Sequence, residues 1–455
     1  MDIRFLIGWY LFLFVIAYLL EKLTSCFSRL SIFTVFFCAF FLKHGVMVPF
    51  NTNITYEQMG LELSDIVIVR WISSLILMYT SFVIGLLIAR RFFGKRKLSR
   101  KEYKQDILQL TKQKKTDLRK IFPIFAIFVA NLTFWMLWNP GFLVYLFSGD
   151  ISAEAYRAAR VAYGESVNAN GVLLRIANTL KFTALPLCLY TLFFLQAISK
   201  KYKVLFVVVF IVTFLLNLIS GQKGGVALVL LGVFFCWLFL TGNITISLTS
   251  KTGKRLIGVS IFLLLILIPF QYMIQYPGIS YLEGLTAVAN RVGGEVSRTL
   301  QLHFYLYPDI FPHLYGASSS FSNIFTGNDV VLDPGRVVRG YIAFGDITDA
   351  TGSWNAAFIG TAWADFGYFG VVVQSILVVC LLSYYHQWFV KSNKTPGVLG
   401  TYVALSMSTF FLSEGNFLTT LFSFGLGLNF LFYLMLRRFR STKKEQTQRT
   451  MGSLA

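Results

Sequence analysis

Charge is scarce in this chain, and the scarcity decides its class. Charged residues make up 14% of the 455, where a soluble domain carries about 25%, so an ordinary soluble enzyme is excluded. Cysteine is equally thin. Cys26, Cys38, Cys188, Cys236 and Cys380 lie in or beside apolar runs without CxxC spacing, which leaves neither a disulfide framework nor a thiolate metal site. The four histidines, His44, His303, His313 and His386, form no HxxxH pair. There is no DxD cluster and no Walker-type phosphate loop. The expectation is a protein without metal or cofactor. Phe5–Leu20 is apolar, yet Glu21-Lys22 follows it in place of a small-residue cleavage site, which reads as an anchored first helix.

What the chain has is apolar length. Hydrophobic residues are 56% of the sequence, and mean hydropathy is +0.64. Runs of roughly 18–22 apolar residues recur, the length a helix needs to cross a bilayer. Eleven spans are expected, at about 5–20, 30–50, 66–89, 121–138, 173–198, 204–220, 224–241, 256–276, 356–385, 399–412 and 416–436, the ninth opening as a helix or as an interfacial turn. The chain reads as a single integral membrane domain, 1–455, all α and polytopic.

Orientation follows from the bias of Lys and Arg toward the cytoplasmic side. Arg90–Lys120 carries thirteen of them, so 90–120 is read as a basic cytoplasmic loop and the N-terminus as external. Eleven spans then place the Arg437–Arg449 tail inside. The inner side receives twenty-nine cations and five acids, the outer side twelve and sixteen. The net charge of +20 is thereby cytoplasmic charge facing anionic lipid and not a nucleic-acid signature.

Two outer loops stand out, 139–172 and the long 277–355. A structureless loop of that length is uncommon unless it is functional, and it must fold over the outer helix ends because it cannot sit in lipid. Outer cations are paired with acids or kept for an anion, and Arg matches phosphate oxygens bidentately. Arg157 and Arg160 share a face flanked by Tyr156 and Tyr163, a phosphate-and-sugar surface or an interfacial helix. Lys223 lies among Gly221, Gly224 and Gly225, either a turn or a set of free amides at a helix start. Arg291, Glu295 and Arg298 are spaced for one helical face, for an anion or as a salt-bridge ladder. Arg336 and Arg339 follow Asp333, with which Arg336 can pair. Asp365 is a helix-start acid or one that orients arginines or a sugar hydroxyl.

These landmarks, in order, resemble the bacterial O-antigen and capsule repeat-unit polymerases, the Wzy family: the Arg/Tyr segment ending Tyr163-Gly164, the turn Ser220-Gly-Gln-Lys-Gly-Gly225, the large outer loop, and Gly360-Thr-Ala-Trp-Ala-Asp-Phe-Gly-Tyr-Phe-Gly370 entering the next span. The resemblance covers roughly 140–385. It implies a GT-C-like bundle with a large, partly helical periplasmic loop in the bacterial inner membrane. It also implies a metal-independent glycosyltransferase that moves the growing glycan from undecaprenyl diphosphate onto an incoming lipid-linked unit. Carried over by position, the diphosphate-binding residues are Arg157, Arg160, Lys223, Arg291, Arg298, Arg336 and Arg339. Candidate bases for the acceptor hydroxyl are Asp365, Glu295 and Asp346. The expected partners are lipid-linked oligosaccharides, membrane lipid and a chain-length regulator. An O-antigen ligase, with His303 or His313, and a lipid-linked oligosaccharide flippase are the alternatives.

Overall fold

The structure, a computed structural model, describes residues 3–51, 63–94, 100–112, 179–219, 223–242, 244–246, 251–275, 278–290, 294–318, 333–347, 353–354 and 356–434. The described residues form helices and no strand; Arg29 and Thr245 make an isolated antiparallel bridge. The chain is a helical membrane protein. Five described segments are long and apolar enough to cross a bilayer: Ile3–Thr24 (α1), Asp65–Phe93 (α3), Thr179–Ile198 (α5), Phe358–Lys391 (α13) and Pro396–Ser413. The expected span at 121–138 lies outside the described residues.

Several of the expected spans are shorter or interrupted. The second is Ile32–Phe41 (α2) followed by a π-turn, Leu42–Val46. The sixth and seventh are Lys203–Ile219 (α6) and Lys223–Leu240 (α7). The eighth is Lys251–Ile261 (α8), a π-stretch Phe262–Leu267, and Ile268–Gln275 (α9); Pro269, which has no N–H to donate, stands at the join. The tenth is Pro396–Ser408 (α14), tightening into a 3-10 turn Thr409–Ser413. The eleventh is Phe417–Phe422 (α15), a turn, then helix 428–434.

The ninth expected span is two helices in one. Phe366 (φ −141°, ψ 18°) and Gly367 (φ 57°, ψ −141°) break α13. The Phe358 ring lies 6.3 Å from Phe82 of α3. One turn further along α3, Gly85 O is 3.5 Å from Cys380 Sγ, and a Cβ at Gly85 would stand 2.4 Å from Val379. A continuous helix would hold Phe358 and Val379 about 31 Å apart. Both meet the same stretch of α3, so the chain reverses at 366–367. The tip is tight: a Cβ at Gly370 would be 2.1 Å from Ala362 O. Glycine is required at 370 by that approach and at 367 by the positive φ.

The core is aromatic. Phe36, Phe37, Phe40, Tyr79 and Phe82 pack mutually between α2 and α3, and Phe358 closes the box. Charged contacts gather at two opposite ends. At one, Arg90 donates to Lys22 O and Leu23 O, Lys391 Nζ donates to Phe93 O (3.0 Å), and Lys394 lies 4.0 Å from Asp106. Asp106 belongs to Arg100–Lys112 (α4), whose Tyr103 hydroxyl donates to Phe239 O (2.8 Å). At the other end Lys43 pairs with Glu414, and Arg70 binds Asp309 through two hydrogen bonds of 2.6 and 3.1 Å.

The described part of 277–355 holds Tyr281–Asn290 (α10), Val296–Leu306 (α11) and Pro334–Phe344 (α12). It does not lie wholly over the helix ends. Leu300, Leu302, Phe304 and Leu306 bury α11 among the longer helices, because a segment apolar on more than one face cannot stay at a wet surface.

Candidate functional site

The reversal in α13 creates a chemical problem that defines the site. A half-helix ending at Asp365 leaves its last carbonyls without helical donors. The segment 313–318 supplies them: Leu314 N donates to Ala364 O (2.9 Å) and Tyr315 N to Asp365 O (3.0 Å). An acid at a helix C-terminus faces the negative end of the dipole. Asp365 is held there by three donors, Gly316 N (3.2 Å) and Ser318 N (3.3 Å) to Oδ1 and Ser318 Oγ (2.6 Å) to Oδ2. It therefore stands at a break and not in the first turn of a span, and its buried carboxylate organises the strap.

Aromatic rings surround this tip. Trp363 Nε1 donates to Tyr307 O (2.8 Å), and its ring packs 4.6 Å from Phe304 and 4.9 Å from Tyr368. Tyr315, with φ 49°, and Phe366 meet edge-on at 6.4 Å; these two and Phe369 are exposed. His313, half-buried, has Nδ1 3.3 Å from Ala364 O. His303 is a core residue: Nδ1 lies 2.8 Å from Thr299 O, and burial pushes its imidazole down to about 4.

Arg298, Arg336 and Arg339 of the long loop sit on helices packed beside this hairpin. α12 starts cleanly because Asp333 Oδ1 accepts from Gly335 N (3.0 Å) with Pro334 at the first position, and ends at left-handed Gly345. Arg336 Nε lies 3.9 Å from Asp333, an exposed pair that contributes little. Arg339 stands over the Phe344 ring at 5.6 Å. Asp346 is exposed just past the helix, its N–H on Gly340 O (3.2 Å). Glu295 and Arg298 are both exposed at the start of α11. α10 ends at Asn290 and α11 begins at Val296, and Arg291 lies outside the described residues between them, as do Arg157 and Arg160. Lys223 is the first residue of α7, which places Gly224 and Gly225 in its first turn.

The structure thus brings Asp365 and the arginine helices α11 and α12 to one end. It also reveals a group that the sequence reading passed over, buried Lys43 paired with half-buried Glu414, with His44, Ser413 and Ser297 around them. Its signal was present, since Lys43 is an outer cation and Glu414 the acid that follows the tenth span. Their meeting, 371 residues apart in the chain, was not. Among the described residues no three His, Cys, Asp or Glu side chains could hold a metal ion. No family model matches the chain, and no curated protein or solved structure is significantly similar to it.

Proposed function

We propose that this chain polymerises undecaprenyl-diphosphate-linked oligosaccharide units of an O-antigen or related surface glycan. It would do so at the periplasmic face of the bacterial inner membrane. The observation that carries the reading is the meeting, at one end of the bundle, of the 360–370 hairpin, its exposed aromatic tip and two arginine-bearing helices. Rings suit sugar faces, and guanidinium groups suit phosphate oxygens. The separation of charged contacts into two ends supports eleven crossings with 277–355 outside, the N-terminus periplasmic and the C-terminus cytoplasmic. A GT-C-like arrangement and a chain-length regulator as partner belong to the same reading.

The chemistry asks little covalent work of the protein. Diphosphate leaves well once its charge is neutralised. Arg298, Arg336 and Arg339, with Arg157, Arg160, Lys223 and Arg291, supply that neutralisation. Asp365 holds the strap that carries Tyr315. Glu295 and Asp346, exposed at the start of α11 and just past α12, are the candidate acceptors of the hydroxyl proton that the resemblance implies. His313 beside the hairpin favours one second reading, an O-antigen ligase with a histidine in its outer loop.

The test is glycan banding from a deletion strain complemented with wild type, Arg298→Ala or Arg336→Ala. A single-repeat band on deletion, restored to a ladder by wild type and restored weakly by either variant, supports the polymerase. Loss of every glycan-bearing band, including the single repeat, contradicts it and points to ligase or flippase.

A further inference from the structure

Two segments abandon regular α-helix where a third begins. α2 passes into the π-turn Leu42–Val46, where His44 leaves helical geometry (φ −117°, ψ 15°). α14 tightens into the 3-10 turn Thr409–Ser413. α11 begins there too, and its Ser297 hydroxyl donates to Lys43 O (3.1 Å). Between them Lys43 is buried, its ammonium bonded to Glu414 and Ser413 Oγ (3.2 Å) and seated over the Phe410 ring at 4.1 Å. His44 is fully buried, with Nε2 3.2 Å from Ser413 O; its Nδ1 has no partner. The Glu414 side chain keeps 32% of its accessibility.

Stability does not explain this group. A buried ion pair is often replaceable by apolar residues at no loss. Ionisable residues among membrane helices usually serve function, and π-turns cluster at functional sites. Glu414 is gripped by a buried cation and yet keeps part of its side-chain accessibility. Asp365 already accepts three hydrogen bonds and is buried. Glu295 and Asp346 lie exposed to water.

Resting on the polymerase reading, we propose that Glu414 is the catalytic base, which Lys43 holds ionised and aimed. The acceptor hydroxyl oxygen bonds to the anomeric carbon of the growing chain. The bond from that carbon to the diphosphate oxygen breaks, and its electron pair leaves on undecaprenyl diphosphate. The hydroxyl proton passes to Glu414 and then to water.

The test uses the full chain in proteoliposomes, supplied with the lipid-linked repeat unit extracted from host cells. Glu414→Gln is expected to lower kcat at least a hundredfold with KM little changed, and to remove the acid limb of the kcat/KM pH profile. Glu414→Asp keeps that limb at a reduced rate. The exchange Lys43→Glu with Glu414→Lys restores melting temperature but not turnover. Full turnover in the exchanged protein, or an unchanged acid limb in Glu414→Gln, shows a structural latch and overturns the assignment. Absence of polymer from wild type overturns the polymerase reading itself, and the assignment with it.

Discussion

Asp365 and His303 show how far a single residue's environment can shift its reading. The sequence places Asp365 near a helix start, where an acid is welcome. The reversal puts it at a helix end, where an acid must be held by donors. Asp365→Ala leaves Gly316 N, Ser318 N and the Ser318 hydroxyl without their acceptor, at about 1.5–3 kcal/mol for hydrogen bonds to a charged group. Its melting temperature should fall clearly, Asp365→Asn should fall less, and Ser318→Ala should fall least. Equal melting of all three would show that the strap is not held this way. His303 gives a pH dependence. Its ordinary value near 6.5 falls to about 4 on burial, so above pH 6.5 folded and unfolded chains are both neutral and the residue is silent. Between 6.5 and 4 the unfolded chain binds the proton more readily, and stability declines as pH falls. In detergent, His303→Gln should flatten the loss of melting temperature over that window; an unchanged slope would assign the acid sensitivity elsewhere.

At the scale of elements the decisive feature is the hairpin inside α13. Apolar length alone made 356–385 a single span, and periodicity cannot register a reversal within an apolar run. Gly367 and Gly370 were the legible hint, in a motif otherwise read for its chemistry. Gly367→Ala puts a side chain at φ 57°, ψ −141°, a region essentially confined to glycine, and costs about 1–3 kcal/mol. Gly370→Leu meets Ala362 O and should prevent the hairpin from closing. The reversal itself can be trapped. With Phe82→Cys and Phe358→Cys, a bifunctional thiol reagent should link α3 to the half-helix while native Cys380 remains beside Gly85. Failure of that link would restore a straight helix and remove the site as described. The long loop was legible as important but not as inserted: the apolar residues of α11 were visible, their partners on α3 and α13 were not.

For the whole molecule, composition and charge carried the most. The bias of Lys and Arg separates Lys22, Arg90 and Lys391 from Lys43 and Arg70, and these sets stand at opposite ends of the structure. A chain this poor in charge must sort its charges by side, so the pattern is readable without any contact. The pairing of Lys43 with Glu414 was not, because long-range partners leave no local trace. Sidedness is open to direct measurement. In spheroplasts of a strain whose native cysteines have been replaced, an impermeant maleimide should label Asp309→Cys at once and Arg91→Cys only after lysis; the reverse order would invert the topology. Purified protein in proteoliposomes, given only the undecaprenyl-diphosphate-linked unit, should yield a ladder of multimers with one undecaprenyl diphosphate released per linkage, and Arg298→Ala a slower ladder. Product that forms only when a lipid A-core acceptor is added, or no product at all, would contradict the polymerase reading.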